Sequence, residues 1–132
     1  MDARSFLIAQ MAQEKPVQVA REIGVRSDQV HNWLKGTHRI QPKMARRLGR
    51  YFNVGPENFL DLWYETTEET FGCELRRWRL RMGLSLLDLA VRIGYCEKTL
   101  CNWENGYPMT EEKQNEIRML FESVESNLPE NF

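Results

Sequence analysis

The sequence has little of what a cross-linked, membrane-spanning or catalytic protein needs. Its three cysteines, Cys73, Cys96 and Cys101, are odd in number and form no CxxC pair, and only His31 and His38 accompany them. That spacing argues against a disulfide framework or a zinc site and for free thiols, so no metal and no cofactor are expected. No apolar stretch approaches the roughly 20 residues of a membrane helix, and the opening Met-Asp-Ala-Arg is not a charged region followed by an apolar core. The expectation is a cytoplasmic chain with no membrane partner. A Gly-rich phosphate loop, an HExxH pair and a nucleophile-base constellation are all missing, so the chain is not read as an enzyme. Neither sign of charge dominates, with 18 Lys and Arg against 19 Asp and Glu.

What is present is a chain of 132 residues with 42% hydrophobic and 28% charged residues, a balance that folds into one ordinary domain or two small ones. It repeats itself. A shift of 70 aligns PVQVAREIGVRSDQVHNWLKG (residues 16 to 36) with LLDLAVRIGYCEKTLCNWENG (86 to 106) without a gap. Ala20, Ile23, Gly24, Asn32, Trp33 and Gly36 meet Ala90, Ile93, Gly94, Asn102, Trp103 and Gly106 as identities. Two copies are too few for a solenoid, so the repeat predicts two tandem domains, 1–64 and 71–132, joined by a short acidic connector at 65–70. Thr66 and Glu69 in that connector also have capping-box spacing, which would open the next helix.

No segment shows strict strand alternation, and apolar spacing with Pro and Gly punctuation predicts an all-α fold of about five helices per domain. In the first domain the helices fall near 3 to 13, 16 to 23, 27 to 35, 41 to 52 and 56 to 64, with Pro16, Pro42 and Pro56 suited to first helical positions. In the second, Phe71, Leu75, Trp78 and Met82 share a face before Gly83. Ser85 with Asp88 has capping-box spacing, and Thr110 opens a last helix with Ile117, Leu120, Phe121 and Val124 as its apolar stripe. The closing residues, 126 to 132, are expected to fray.

Each repeat reads as helix, glycine turn, helix. Ala20 and Ala90 are small where the paired helices approach, and Gly24 and Gly94 suit the left-handed backbone of a tight turn. Val19, Ile23, Val25, Val30 and Trp33 should form a buried wedge, matched by Leu89, Ile93, Tyr95, Leu100 and Trp103. Packing, rather than base stacking, is the expected role of the two tryptophans.

At these residues the sequence resembles the helix-turn-helix transcription regulators of the Cro/C1 repressor family, the xenobiotic-response-element type, a lambda-repressor-like fold. ELRRWRLRMGLSLLDLAVRIGYCEKTLCNWENG follows that family's run from the first helix to the WExG ending of the recognition helix. The first copy, with GTHRIQPKMARRLGRYFNV after its recognition helix, resembles antitoxin-type domains whose fourth helix begins at a proline. Pro16 and Leu86 stand where the family often carries a phosphate-gripping Gln, leaving helix N-terminal amides for that task. The resemblance implies a sequence-specific regulator of double-stranded DNA, a repressor of bacterial, phage or plasmid origin, acting as a homodimer or spanning two half-sites with one chain. It equally leaves open an antitoxin-like or adaptor protein that binds a protein partner and autoregulates its operon.

Carried over by position, the groove-facing residues of the first copy are Arg26, Ser27, Asp28, Gln29, His31, Asn32 and Lys35. Arg39, Lys43, Arg46, Arg47 and Arg50 follow toward flanking phosphate. A second DNA surface would comprise Cys96, Glu97, Lys98, Thr99, Cys101 and Asn102, with Arg76, Arg77, Arg79 and Arg81 of the preceding helix meeting phosphates. Charge is asymmetric: residues 1 to 64 hold ten Lys and Arg against six Asp and Glu, whereas residues 65 to 132 hold eight against thirteen. The first half is the better DNA partner.

Overall fold

The computed structural model of the chain describes residues 1–129, and those residues are all-α. The last three residues of the second expected domain, and part of the expected fraying at 126 to 132, lie outside the described residues. The chain divides into two compact units, Met1–Thr66 and a second that starts at Thr67.

The first unit contains α1 (Ala3–Gln10), α2 (Pro16–Ile23), α3 (Ser27–Lys35), α4 (Pro42–Phe52) and α5 (Asp61–Glu65). Asp2 caps α1 by accepting a hydrogen bond from the Ser5 amide, which holds its carboxyl below the usual carboxylate range. The expected helix at 3 to 13 is α only to Gln10 and tightens into a 3-10 turn at Met11–Gln13. The expected helix at 56 to 64 is likewise a 3-10 turn, Pro56–Phe59, followed by α5. Leu60 between them is extended, and this break lets Phe59 and Leu60 both reach the core. Val19, Ala20, Ile23, Val30 and Trp33 are buried around the α2–α3 pair, and Val25 is half-buried beside them. Gly24 ends α2 at φ 77°, the left-handed region that only glycine adopts at low cost, so the chain can turn directly into α3.

Among the described residues the second unit contains four helices, not five: α6 (Phe71–Arg81), α7 (Leu86–Ile93), α8 (Glu97–Glu104) and α9 (Glu111–Ser126). Ser85 and Asp88 exchange the two hydrogen bonds of a capping box, and Thr110 caps α9 through the Lys113 amide. Residues 65–70 are not a free connector. Glu65 completes α5, and Thr66 is buried with its hydroxyl donating to the Leu62 carbonyl at 2.7 Å. The residue that opens α6 is Thr70, whose hydroxyl accepts from the Cys73 amide, rather than Thr66. Leu75, Leu84, Leu89, Ala90, Leu100, Trp103, Ile117, Phe121 and Val124 form the core. Tyr95 departs from the expected wedge: it stays 37% exposed and meets the Trp103 ring edge-on at 4.9 Å. A side chain following the glycine turn sits at the rim of the wedge, where a phenol can keep its hydroxyl in water.

α6 and α8 approach each other through Gly72. A Cβ added there would lie 2.5 Å from the Glu104 carbonyl oxygen and 2.7 Å from that of Trp103, both rigid backbone atoms. Gly72→Ala is expected to push the helices apart and destabilise this unit by about 1–3 kcal/mol, the range for overpacking a tight contact. A lowered urea midpoint for the amides of α6 and α8 checks it.

Candidate nucleic-acid interface

α3 is nine residues long and Arg26, the residue just before it, makes no side-chain cap, so its anchoring comes from the face that packs. Val30 is fully buried and Trp33 is 3% exposed. With 3.6 residues per turn, Asp28, His31, Asn32 and Lys35 then line the opposite side, and Gln29 stands on its flank. All are exposed except Asn32, which is half-buried.

The C-terminal end of α3 is the one held from outside the helix. At the C-terminus Arg4 Nε of α1 donates to the Leu34 carbonyl at 2.7 Å, Gly36 takes φ 80°, and the Thr37 amide and hydroxyl both donate to the Asn32 carbonyl at 3.1 and 3.2 Å. At the N-terminus Arg26 Nε lies 3.3 Å from Asp28 Oδ1, with the two side chains 87% and 64% exposed. A pair so open to water is worth little, so either partner can exchange it for a ligand. His31 Nδ1 lies 2.7 Å from the Ser27 carbonyl oxygen, which fixes the ring. Arg4 was not signalled by the sequence, because its partner is a main-chain carbonyl 30 residues away.

Lys43, Arg46, Arg47 and Arg50 recur at helical spacing on α4, opposite the buried Ala45, Leu48 and Gly49. Arg47 departs from its expected role as a surface phosphate contact. Its Nη1 donates to the Ile23 carbonyl at 3.1 Å and stands 3.6 Å from where a Gly24 Cβ would be, so it closes the end of α2. The same bond brings the middle of the basic stripe to the turn that leads into α3. Arg39 is 71% exposed, with Asp61 Oδ2 at 3.4 Å and Glu65 Oε1 at 4.0 Å.

The second unit is arranged differently. Arg79 is not a phosphate contact: it is 4% exposed, and its Nε and Nη2 donate to the two carboxylate oxygens of the buried Glu104 at 2.7 and 2.9 Å. Its Nη1 donates to the Leu84 carbonyl at 2.9 Å. Arg76 is also turned inward, donating to Glu104 Oε1 at 3.2 Å and Asn105 Oδ1 at 2.9 Å. Arg77 bonds the Glu68 carbonyl through both terminal nitrogens, which leaves Arg81 as the exposed arginine of α6. Arg76 and Arg79 share a reason: a guanidinium carries five donors, and around the buried Glu104 the carboxylate and a nearby carbonyl are closer partners than solvent.

The outward side of α8 carries Lys98, Cys101, Asn102 and Asn105, and Glu97 stands exposed in its first turn. Part of this side is engaged internally, since Asn105 Nδ2 donates to Cys101 Sγ at 3.3 Å. Cys96 Sγ and Thr99 Oγ1 are 3.0 Å apart, and that hydrogen bond draws the Cys96 thiol below the usual thiol range. The exposed residues of α9 include Glu111, Glu112, Glu116, Glu122 and Glu125, so no basic stripe like that of α4 accompanies α8.

Among the described residues, no group of three or more His, Cys, Asp or Glu side chains is placed to hold a metal ion, and no helix is long and apolar enough to cross a membrane. Compared with known proteins, the chain matches no family model, no curated protein and no solved structure.

Proposed function

We propose that the chain is a sequence-specific double-stranded DNA-binding transcriptional regulator, a cytoplasmic repressor, that reads bases with α3 of the first unit. The supporting observation is the polar side of α3, Asp28, His31, Asn32 and Lys35, held opposite a tryptophan-anchored face, with the basic stripe of α4 tied to the same turn through Arg47. Exposed side chains of this kind on a short, firmly seated helix suit a major groove, and Lys43, Arg46 and Arg50 of α4 suit the flanking backbone. The second unit contributes less to such a surface, because three of its four α6 arginines are bonded within the unit and α9 is acidic outside. Two chains then supply two copies of α3 to an inverted repeat, which makes a homodimer the fitting assembly.

The test is a gel shift of the full chain on duplexes recovered from its own promoter region. Arg26→Ala and Asn32→Ala are expected to weaken specific binding about tenfold or more each, the scale of a lost base contact. Lys43→Ala should weaken binding to all sequences alike and reduce the salt slope by about one. Unchanged affinity in the two α3 variants rejects α3 as the reader.

A second reading, an adaptor or antitoxin-like protein with a protein partner, is favoured by one surface. α7 exposes Leu87 (57%) and Val91 (75%) one turn apart, where the first unit carries Val17 and Arg21. Exposed apolar pairs of this kind suit protein rather than DNA.

A further inference from the structure

We propose that Arg26 and Asp28 work as one guanine reader at the start of α3: the guanidinium donates to N7 and O6 of a single guanine, and the carboxylate holds it in position. This rests on the reading of α3 as the base reader and adds which base its first turn selects.

Arg26 stands just before α3 with extended backbone, φ -78° and ψ 147°, and its carbonyl accepts from the Gln29 amide at 3.1 Å, so its main chain is fixed by the first turn. By position it lies four residues before the buried Val30, toward the side on which α3 packs. Its side chain is nonetheless 87% exposed, and its Nε lies 3.3 Å from Oδ1 of Asp28, which belongs to the outward side. The pair therefore brings the guanidinium round to that side. Asp28 is well placed to hold it, because the first turn of a helix favours a carboxylate.

A guanidinium has five N–H donors, and the contact with Asp28 engages the one on Nε. The terminal nitrogens, Nη1 and Nη2, then present a fork of two parallel donors. In the major groove guanine is the base with two adjacent acceptors, N7 and O6. Adenine sets N7 beside its N6 amine, thymine offers O4 beside a methyl group, and cytosine offers its N4 amine. A two-donor fork on one base edge thus separates G·C from C·G, A·T and T·A. Binding guanine in this way leaves the pair with Asp28 intact, and the attraction within the pair grows where the groove displaces water. The second unit holds Cys96 and Lys98 at the corresponding places, with neither fork nor carboxylate, and would not share the preference.

The experiment selects tight-binding duplexes from a random pool with the full chain. Each guanine of the selected site is then replaced by 7-deazaguanine, which lacks N7, by adenine paired with thymine, which sets an amine where O6 stood, or by hypoxanthine, which keeps both acceptors. At one position the wild-type chain is expected to lose about fivefold or more in affinity with each of the first two and little with the third, whereas Arg26→Ala should bind all four alike. Asp28→Ala should shrink those losses to about twofold, while its affinity for random-sequence duplex holds or rises because a negative charge has left the phosphate-facing surface. A merely structural role for Asp28 would weaken both kinds of binding together. Both side chains are exposed, so the variants should fold, and unchanged helical circular dichroism confirms it. A site with no guanine that Arg26→Ala ceases to distinguish, or an equal loss with hypoxanthine, overturns the guanine reader. Undiminished losses in Asp28→Ala overturn the part given to the carboxylate. In either case weakened specific binding by Asn32→Ala keeps α3 as the reader, whereas a pool that yields no enriched sequence overturns the reader and the preference together.

Discussion

Replacing Arg79 with alanine is expected to destabilise the second unit by about 3–5 kcal/mol, the usual cost of breaking a buried ion pair from one side. Glu104 is 5% exposed and would stay in the core with Arg76 as its remaining cationic partner, while the Leu84 carbonyl would lose its donor. Small domains hold a margin of about 5–15 kcal/mol, so the loss is a large part of what keeps this unit folded. Glu104→Ala should cost a similar amount, because it strands the Arg79 guanidinium. The informative variant is the double replacement by leucine, Arg79→Leu with Glu104→Leu. The position that aligns with Glu104 in the first unit is Leu34, so an apolar side chain fits the repeated motif there. Removing both charges also removes their desolvation penalty, and the double variant should recover most of the loss, short of the unpaired Leu84 carbonyl and of Arg76, which loses Glu104 and keeps Asn105. Urea titration with amide hydrogen exchange over α6–α9 measures this. A double variant no more stable than Arg79→Ala would show that the pair supplies net stability instead of tolerated charge.

Trp33→Ala should destabilise the first unit by about 3–5 kcal/mol and abolish DNA binding with it. Trp33 is 3% exposed and seats α3 together with Val30, so the cavity left by alanine falls directly beneath the proposed reading surface. Binding and hydrogen-exchange protection of α3 are expected to vanish together, and Trp33→Phe, which refills most of the space, should restore both. If Trp33→Ala kept its protected amides yet lost DNA, the indole would be acting on bases, as an exposed stacking residue does. Trp103→Ala offers the internal comparison. It removes the equivalent anchor from the second unit, and specific binding through α3 should survive.

The helices themselves were largely legible in the sequence. Pro16 and Pro42 open α2 and α4, Gly24 and Gly94 turn in the left-handed region, and Ser85 with Asp88 forms the capping box that their spacing predicts. Such signals involve residues at most four apart, and local chemistry decides them. Boundaries were less clear where two neighbours compete for one core, as at Leu60, or where several threonines could cap the same helix, as Thr66 and Thr70 could. The outward side of α3 was also readable, since it follows from the apolar face by rotation about the helix axis.

By itself, the sequence determined an all-helical chain with a repeated tryptophan-anchored motif, because helical period, caps and glycine turns are written in short stretches of residues. Only the tertiary structure decided which cations remain outside. Arg79, Arg76, Arg77 and Arg47 have the same side chain as Arg26 and Arg81, yet the first four are bonded to Glu104, Glu68 or Ile23 within their units. A guanidinium's role depends on which acceptors the fold brings within about 3 Å of it, and those acceptors come from residues distant in the chain.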